Sequence, residues 1–270
     1  MDQNEKLKML FKISLFQTKS NISSKWIVFY FIFFFAASYV SLSFTHETSK
    51  AAVNLMNAVL FIVPLASLLY GTIYFYNNID YIIFILSFPV KRPVIYISLF
   101  SGLLIPMAIG FLTGIILPVL LFNANSFLSD FYIFLPLIIT GIYLHLIFIS
   151  FALLIAVINE NKLLGFGLSI FIWLLLSVIY DGIFLIALNS FADYPLEYFS
   201  IILSVLNPID LSRIFITINL DLVTLMGYTG AVFHNFFSNI IGCLIIFTSL
   251  TIWVLIPLFL GIRFFNKKDF

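Results

Sequence analysis

Ionisable and metal-liganding side chains are sparse in this chain, so each can be weighed singly. His145 falls midway along an apolar run, about 20 Å from its nearer polar boundary at 1.5 Å per residue. An ionisable group at such depth is a functional candidate. The plainer reading is a neutral imidazole bonded to a neighbouring helix, because burial disfavours the charged form. Asp181 lies eighteen residues beyond Leu163, or roughly 27 Å, near the outer boundary, where interfacial solvation accounts for it. Met226 and His234 have the chemistry of soft and imidazole ligands for copper. Two isolated residues fix neither ligand number nor geometry, and no metal site is assigned to the chain. His145 and Asp181 form no recognisable catalytic constellation, which makes an intramembrane enzyme the weakest reading.

Other chemistries are missing at the level of motif. There is no Gly-Lys dipeptide and hence no P-loop for ATP. There is no His-Glu-x-x-His, no serine elbow, and a single cysteine, Cys243, in an apolar run. The expectation is a protein without catalysis of its own, binding no cofactor and no nucleic acid.

What must position these residues is a membrane. Of 270 residues, 63% are hydrophobic and 9% charged, with 34 Phe, which is too little polar surface for a soluble domain of this size. Six apolar runs are long enough to cross about 30 Å of hydrocarbon: Trp26–Phe44, Val53–Tyr76, Ile97–Phe122, Phe131–Ile158, Leu163–Asn189 and Phe236–Ile262. The fold class is therefore all-α and polytopic. The charge pattern orients it. With the N-terminus inside, eleven of the thirteen Lys and Arg fall on the cytoplasmic side, and only Lys50 and Arg213 fall outside. Both termini are then expected in the cytoplasm. Residues 1–25 carry five Lys and no uninterrupted apolar stretch, unlike a cleavable signal.

Three stretches depart from plain spans. Residues 5–22 place Leu7, Leu10, Phe11 and Leu15 at helical spacing, with Lys8, Lys12 and Lys19 largely off that face. That pattern predicts a helix lying in the headgroup region, an N-terminal unit ahead of the six-span domain at 26–270. In the third run, Ser98, Gly102, Pro106, Gly110, Gly114 and Pro118 recur every four residues. Small residues at this spacing let helix backbones approach closely in lipid. The segment Ser190–Asn235 is too apolar for a free loop and is read as short helices resting on, or dipping into, the outer leaflet.

Asn77–Tyr96 is the most distinctive stretch. Pro89 and Pro93 lack backbone donors, and Lys91 and Arg92 are expensive in hydrocarbon. The chain leaves the bilayer here, as a short surface helix over about Ile79 to Phe88 and a Pro-Val-Lys-Arg-Pro turn. The bland reading is an interfacial loop; the other is a docking helix for a cytoplasmic partner.

Six spans, an interfacial N-terminal helix, this docking turn and helices before the last span resemble an ABC-2 type (type V exporter fold) permease. In that family the segment after span two is the coupling helix. The resemblance implies ATPase contacts at Asp80, Tyr81, Ile83, Phe84, Ser87, Phe88, Pro89, Val90, Lys91 and Arg92. It adds secondary ones at Asn159, Glu160, Asn161 and Lys162; the stripe at Gly102, Pro106, Gly110 and Gly114 is read from its spacing alone, as tight helix packing or, alternatively, a hinge in transport. Relatives often carry Glu with a Gly-Thr pair upstream of the turn, where this chain has Asn78, Ile79, Asp80 and Tyr81.

A narrower likeness lies outside. Leu206-Asn207-Pro208-Ile209-Asp210-Leu211-Ser212-Arg213 and Met226-Gly227-Tyr228-Thr229-Gly230-Ala231 are similar to the NosY-type permeases of nitrous oxide reductase maturation, as is the ending from Arg263 to Phe270. That likeness implies a second copy of the chain, a cytoplasmic ABC ATPase dimer carrying ATP and Mg, and a periplasmic copper-handling partner, all at a bacterial inner membrane. Contacts to the periplasmic partner would fall on Asn207, Pro208, Asp210, Arg213, Met226, Gly227, Tyr228, Thr229 and Gly230. An exporter of lipid, drug or polysaccharide is the alternative.

Overall fold

The computed structural model describes residues 13–19, 21, 22, 24–45, 47–122, 127–190, 197–220, 230, 233, 234 and 236–269. Every regular element among them is helical. Six are long and apolar enough to cross a membrane. They are α1 (Lys25–Phe44), α2 (Thr48–Asn77), α4 (Arg92–Phe122), α5 (Phe127–Ile158), a fifth span built of α6 (Lys162–Leu174), a π-helical turn (Leu175–Ile179) and α7 (Tyr180–Ser190), and α10 (Ile240–Lys267). Between them lie α3 (Ile79–Leu86), α8 (Glu197–Val205) and α9 (Pro208–Asn219). Six crossings put residues 13–25 and the chain's end on one side of the bundle, here the termini side.

The fourth span, α5, is the hub. It packs against α2, α4, α9 and α10, and 67% of its apolar window is buried, against 11% for the fifth span. Its small residues make this possible: a Cβ at Gly141 would run into the ring of Phe111 on α4.

The stripe on α4 faces inside the chain, toward α1 and the N-terminal segment. A Cβ at Gly114 would lie 2.8 Å from Phe34 Cβ and 3.3 Å from Phe31 O, both on α1. At Gly110 the nearest atom would be 3.7 Å away, so the tightest approach is at Gly114. A row at every fourth residue drifts about 40° per step, so its members cannot all meet one neighbour. Gly102, earlier in the row, meets Gln17 instead.

The N-terminal segment packs on the bundle through its polar residues. Residues 13–19 are helical, but Ser14, Gln17 and Asn21 are the buried members, while Leu15 and Phe16 point outward. Leu7, Leu10 and Phe11 lie outside the described residues. The reason is Pro106. Lacking an N–H, it leaves the Gly102 carbonyl without its helical donor. Asn21 Nδ2 donates to that carbonyl at 2.9 Å, and Tyr70 donates to Asn21 Oδ1 at 3.1 Å. Ser14 Oγ likewise accepts from Ser101 Oγ at 2.9 Å, whereas neither amide atom of buried Gln17 is hydrogen-bonded among the described residues.

Of the two placements expected for the segment before the last span, the dipping one fits: α8 and α9 form a bent hairpin that enters the bundle. Helices α8 and α9 meet at 112°. Asn207, at their junction, donates from Nδ2 to the carbonyl of Leu176 at 2.9 Å. Leu176 is fourteen residues into a 29-residue span, about 21 Å along it. The Val205 carbonyl accepts from Ser249 Oγ and Trp253 Nε1, near the middle of α10. The hairpin tip thus reaches the middle of the bundle.

Candidate functional site

The short helix α3 is set by punctuation at both ends. Asn78 closes α2, its N–H reaching the Tyr74 and Phe75 carbonyls and its Nδ2 the Tyr74 carbonyl at 2.8 Å. Asp80 in the first turn suits the positive end of the helix dipole. Ser87 ends the helix, its Oγ donating to Phe84 O at 2.7 Å. Pro89 disfavours helical backbone at Phe88, so α3 stops two residues earlier than the sequence predicts. Pro93 sits in the first turn of α4, where its missing donor is harmless. The expected five-residue turn is accordingly shorter, and Arg92 and Pro93 begin the third span.

The eight residues of α3 divide by face. Ile82 and Ile85 are buried against the body. Ile83, Phe84 and Phe88 are 43%, 61% and 50% exposed, beside exposed Asp80, Ser87, Pro89 and Lys91. Tyr81 and Val90 are half-buried, and the ring of Tyr81 stacks on Phe16 of the N-terminal segment at 5.9 Å. Burial pushes the Tyr81 phenol upward from its ordinary value. The result is an apolar ridge held on a fixed base.

Its base is bonded across the chain. Asn161 caps α6, its Oδ1 accepting from Leu163 N at 2.9 Å. Tyr76 donates to the Asn159 carbonyl at 2.8 Å, and Lys162 Nζ to Asn77 Oδ1 at 2.7 Å. Lys268 Nζ donates to the Val157 carbonyl at 2.7 Å at the end of α5. Desolvation pulls its ammonium below the ordinary lysine value, with Glu160 opposing. A groove of about 160 Å³ lies where Ile79 and Ile83 meet Asn159, Glu160 and Lys268.

Arg92 has a role the sequence did not reveal. Its Nη1 donates to the carbonyls of Asn266 at 2.9 Å and Lys268 at 2.7 Å. These are orphan acceptors at the end of α10, where a cation is favoured. Arg92 is a half-buried strap that engages its Nη1 on the C-terminal segment inside the chain.

On the far side the residues expected at a partner surface are mostly enclosed. Asn207 is fully buried, caps α9 through Oδ1 to Ile209 N at 3.0 Å, and also donates to Asp210 Oδ2 at 3.1 Å. Pro208 and Asp210 are buried too. As folded, these three residues present little surface, and they join α8, α9 and the fifth span internally. Arg213 bridges two carboxylates, Asp210 Oδ1 at 2.9 Å and Asp181 Oδ2 at 3.0 Å. Asp181 is therefore an ion-pair member rather than a simply solvated residue. Met226, Gly227, Tyr228 and Thr229 lie outside the described residues; Gly230 is buried, and His234 is exposed. Among the described residues no three His, Cys, Asp or Glu gather as metal ligands.

His145 is buried in α5. Its Nε2 is 2.8 Å from the Tyr30 hydroxyl and its Nδ1 is 2.6 Å from the Gly141 carbonyl. With Nδ1 donating to the carbonyl, Nε2 accepts from Tyr30, which satisfies a neutral ring completely. The arrangement joins α1 to α5 and leaves no open position for chemistry.

What the described residues bring together is a polytopic helical membrane protein with an apolar ridge at one end and a half-buried ion-pair cluster toward the other. No family model matches the chain, and no curated protein matches it.

Proposed function

We propose that the chain is the permease subunit of an ABC exporter, acting as a pair of copies in a bacterial inner membrane with both termini in the cytoplasm. A partner ATPase dimer, holding ATP and Mg, docks on α3 and drives the subunit. The task is copper-site maturation of nitrous oxide reductase through a periplasmic copper-handling partner. The chain itself hydrolyses nothing.

The observation that carries this reading is the exposed ridge of Ile83, Phe84 and Phe88 on a helix too short to span, held rigidly by Ile82 and Ile85 beneath it. An amphipathic helix presenting apolar anchors fits a groove on a folded partner. Asn159, Glu160, Asn161 and Lys162 flank it at the same end, as a second contact would. The copper task rests on the sequence likeness alone.

The test is Ile83→Asp in the full chain, produced together with its ATPase. The residue is partly exposed, so the variant still inserts and folds. A charge buried in a partner's groove is strongly unfavourable. The ATPase is lost on co-purification, and the reductase is made short of copper. Full ATPase binding and coupled hydrolysis in this variant would falsify the reading.

A second reading keeps the ABC exporter and changes the cargo from a copper-maturation task to a lipid, drug or polysaccharide. One observation favours a lipid: a cavity of about 350 Å³, lined by apolar side chains including Trp26, Tyr30, Leu65, Leu69 and Phe166, between α1, α2 and α6. Movement of a labelled lipid by the reconstituted complex separates the two tasks.

A further inference from the structure

The ion-pair cluster has one negative charge too many. Among the described residues Arg213 is its only cation, and it faces two carboxylates, nearly enclosed Asp210 at 2.9 Å and Asp181 at 3.0 Å, with about a third of the Arg213 and Asp181 side chains exposed. The ionisable groups acting on Asp210 are Arg213 and Asp181, with Tyr180 beside it; the Tyr180 hydroxyl is occupied, donating to the Leu203 carbonyl at 2.6 Å. Asn207 supplies one neutral donor to Asp210. Away from the termini side, the sequence holds a single other Lys or Arg, Lys50, which pairs with Glu47 at 3.1 Å, while His46 lies outside the described residues. His145 is committed to Tyr30 and Gly141, and exposed His234 is not among the residues lining the cluster.

Depth makes the imbalance matter. Asp181 is five residues beyond Leu176, about 8 Å from the middle of the fifth span. The cluster borders a cavity of about 220 Å³ whose other walls are Phe184, Leu185, Ile214, Phe233 and Ser204. In such surroundings an uncompensated carboxylate is costly, and two carboxylates sharing a site cannot both ionise freely. At this level the fifth span, though continuous, changes to π-helical bonding over Leu175–Ile179, and the α8–α9 pair bends by 112°. Bent helix pairs of this kind beside a cavity are how membrane proteins build ion sites.

We propose that Asp181 and Asp210, bridged by Arg213 at the hairpin, form an intramembrane proton-binding site that holds one exchangeable proton. The proton completes the charge balance at two negative and two positive. Its release leaves a net negative charge between α7 and α9, the two elements that the cluster ties together. The site does not depend on the transport reading, because the charge count belongs to this chain alone.

The folded state then carries a proton that the unfolded chain, with ordinary carboxylates, has lost. Stability must fall as pH rises, by about tenfold in the folded-to-unfolded ratio per pH unit while the site remains protonated. The experiment is thermal unfolding of the purified full chain in sodium-free potassium buffer from about pH 5.5 to about pH 8.5. Asp210→Asn and Asp181→Asn are run beside it. Each variant leaves one carboxylate for one guanidinium, so each should lose the decline seen in the parent. Infrared spectra of the parent at neutral pH should show a protonated-carboxyl band that both variants lack, a readout that does not require the variants to unfold reversibly. The same decline in all three proteins, or no difference in the carboxyl band, overturns the proposal. So does a parent whose stability responds to sodium concentration instead of pH, which would make the ligand a metal cation.

Discussion

The two ends of the molecule are finished in opposite ways. On the termini side the apolar groups are outside: Ile83, Phe84 and Phe88 stand exposed, while Asn161, Tyr76, Lys162, Arg92 and Lys268 bond the frame beneath them. Toward the far side the polar groups are inside: Asn207, Asp210 and Arg213 are drawn between helices that bend or change to π-helical bonding. A rigid base under an apolar ridge suits receiving a push from a partner. Two carboxylates sharing one guanidinium suit changing state, because the pair can gain or lose a proton. The difference teaches where each end should be sensitive: the near end to loss of surface character, the far end to loss of single hydrogen bonds.

Asn207→Ala is the strongest way to break that comparison. It removes a cap and the donor to Leu176 O, and it takes a neutral donor from the buried Asp210 carboxylate. An orphaned buried group alone is worth about 1–3 kcal/mol, and the cap adds about 1. We expect a loss of about 3 kcal/mol in unfolding by denaturing detergent. Tyr76→Phe, which deletes a bond to the half-buried Asn159 carbonyl at the near end, should lose about 1 kcal/mol. Equal losses would mean that the near frame depends on its polar bonds as much as the hairpin does.

Gly114→Leu against Gly110→Leu sharpens the same contrast within α4. The first forces a side chain onto Phe34 and the backbone of α1, and overpacking of this kind is worth about 1–3 kcal/mol. The second enters space of ordinary contact distance at its first carbon, so its loss should be smaller. Melting temperatures of the two purified variants decide it. A larger loss at Gly110 would shift the tight crossing of α1 and α4 toward the termini side.

Much of this architecture is legible in the sequence, and what is not has physical reasons. The spans are readable because about 20 apolar residues have one use in lipid. The position of α3 is readable from Asn78 and from Pro89, residues whose backbone preferences act locally. Depth is not readable. Asn207 caps α9 by a local signal, but nothing local says that the cap sits beside Leu176 in the middle of a span. Arg92 reads as a charge kept out of hydrocarbon; its carbonyl acceptors are more than 170 positions away in sequence. The inner face of the N-terminal segment is not readable either, because periodicity marks the apolar side and not the polar residue that bonds to the bundle. Where lipid lies outside, Leu15 and Phe16 are at ease there, and Asn21 finds its partners in the protein.

That inversion yields the finest test. Asn21 is buried at the near end because Pro106 leaves the Gly102 carbonyl without a donor, and Asn21 Nδ2 supplies one at 2.9 Å. Asn21→Ala alone should lose about 1–2 kcal/mol, since the carbonyl is then unpaired among apolar neighbours. Pro106→Ala restores the N–H that a regular helix would place on that carbonyl. In the double variant the helix satisfies Gly102 by itself, and the further loss on removing Asn21 should shrink to a few tenths of a kcal/mol. The quantity to measure is the coupling between the two substitutions in reversible unfolding, expected near 1 kcal/mol. Additive losses would show that Asn21 holds the segment through Tyr70 instead, to whose hydroxyl its Oδ1 is bonded at 3.1 Å. The near end would then be fastened to α2 rather than to the break in α4, and its polar bonds, like those of the hairpin, would carry weight independent of any missing helical donor.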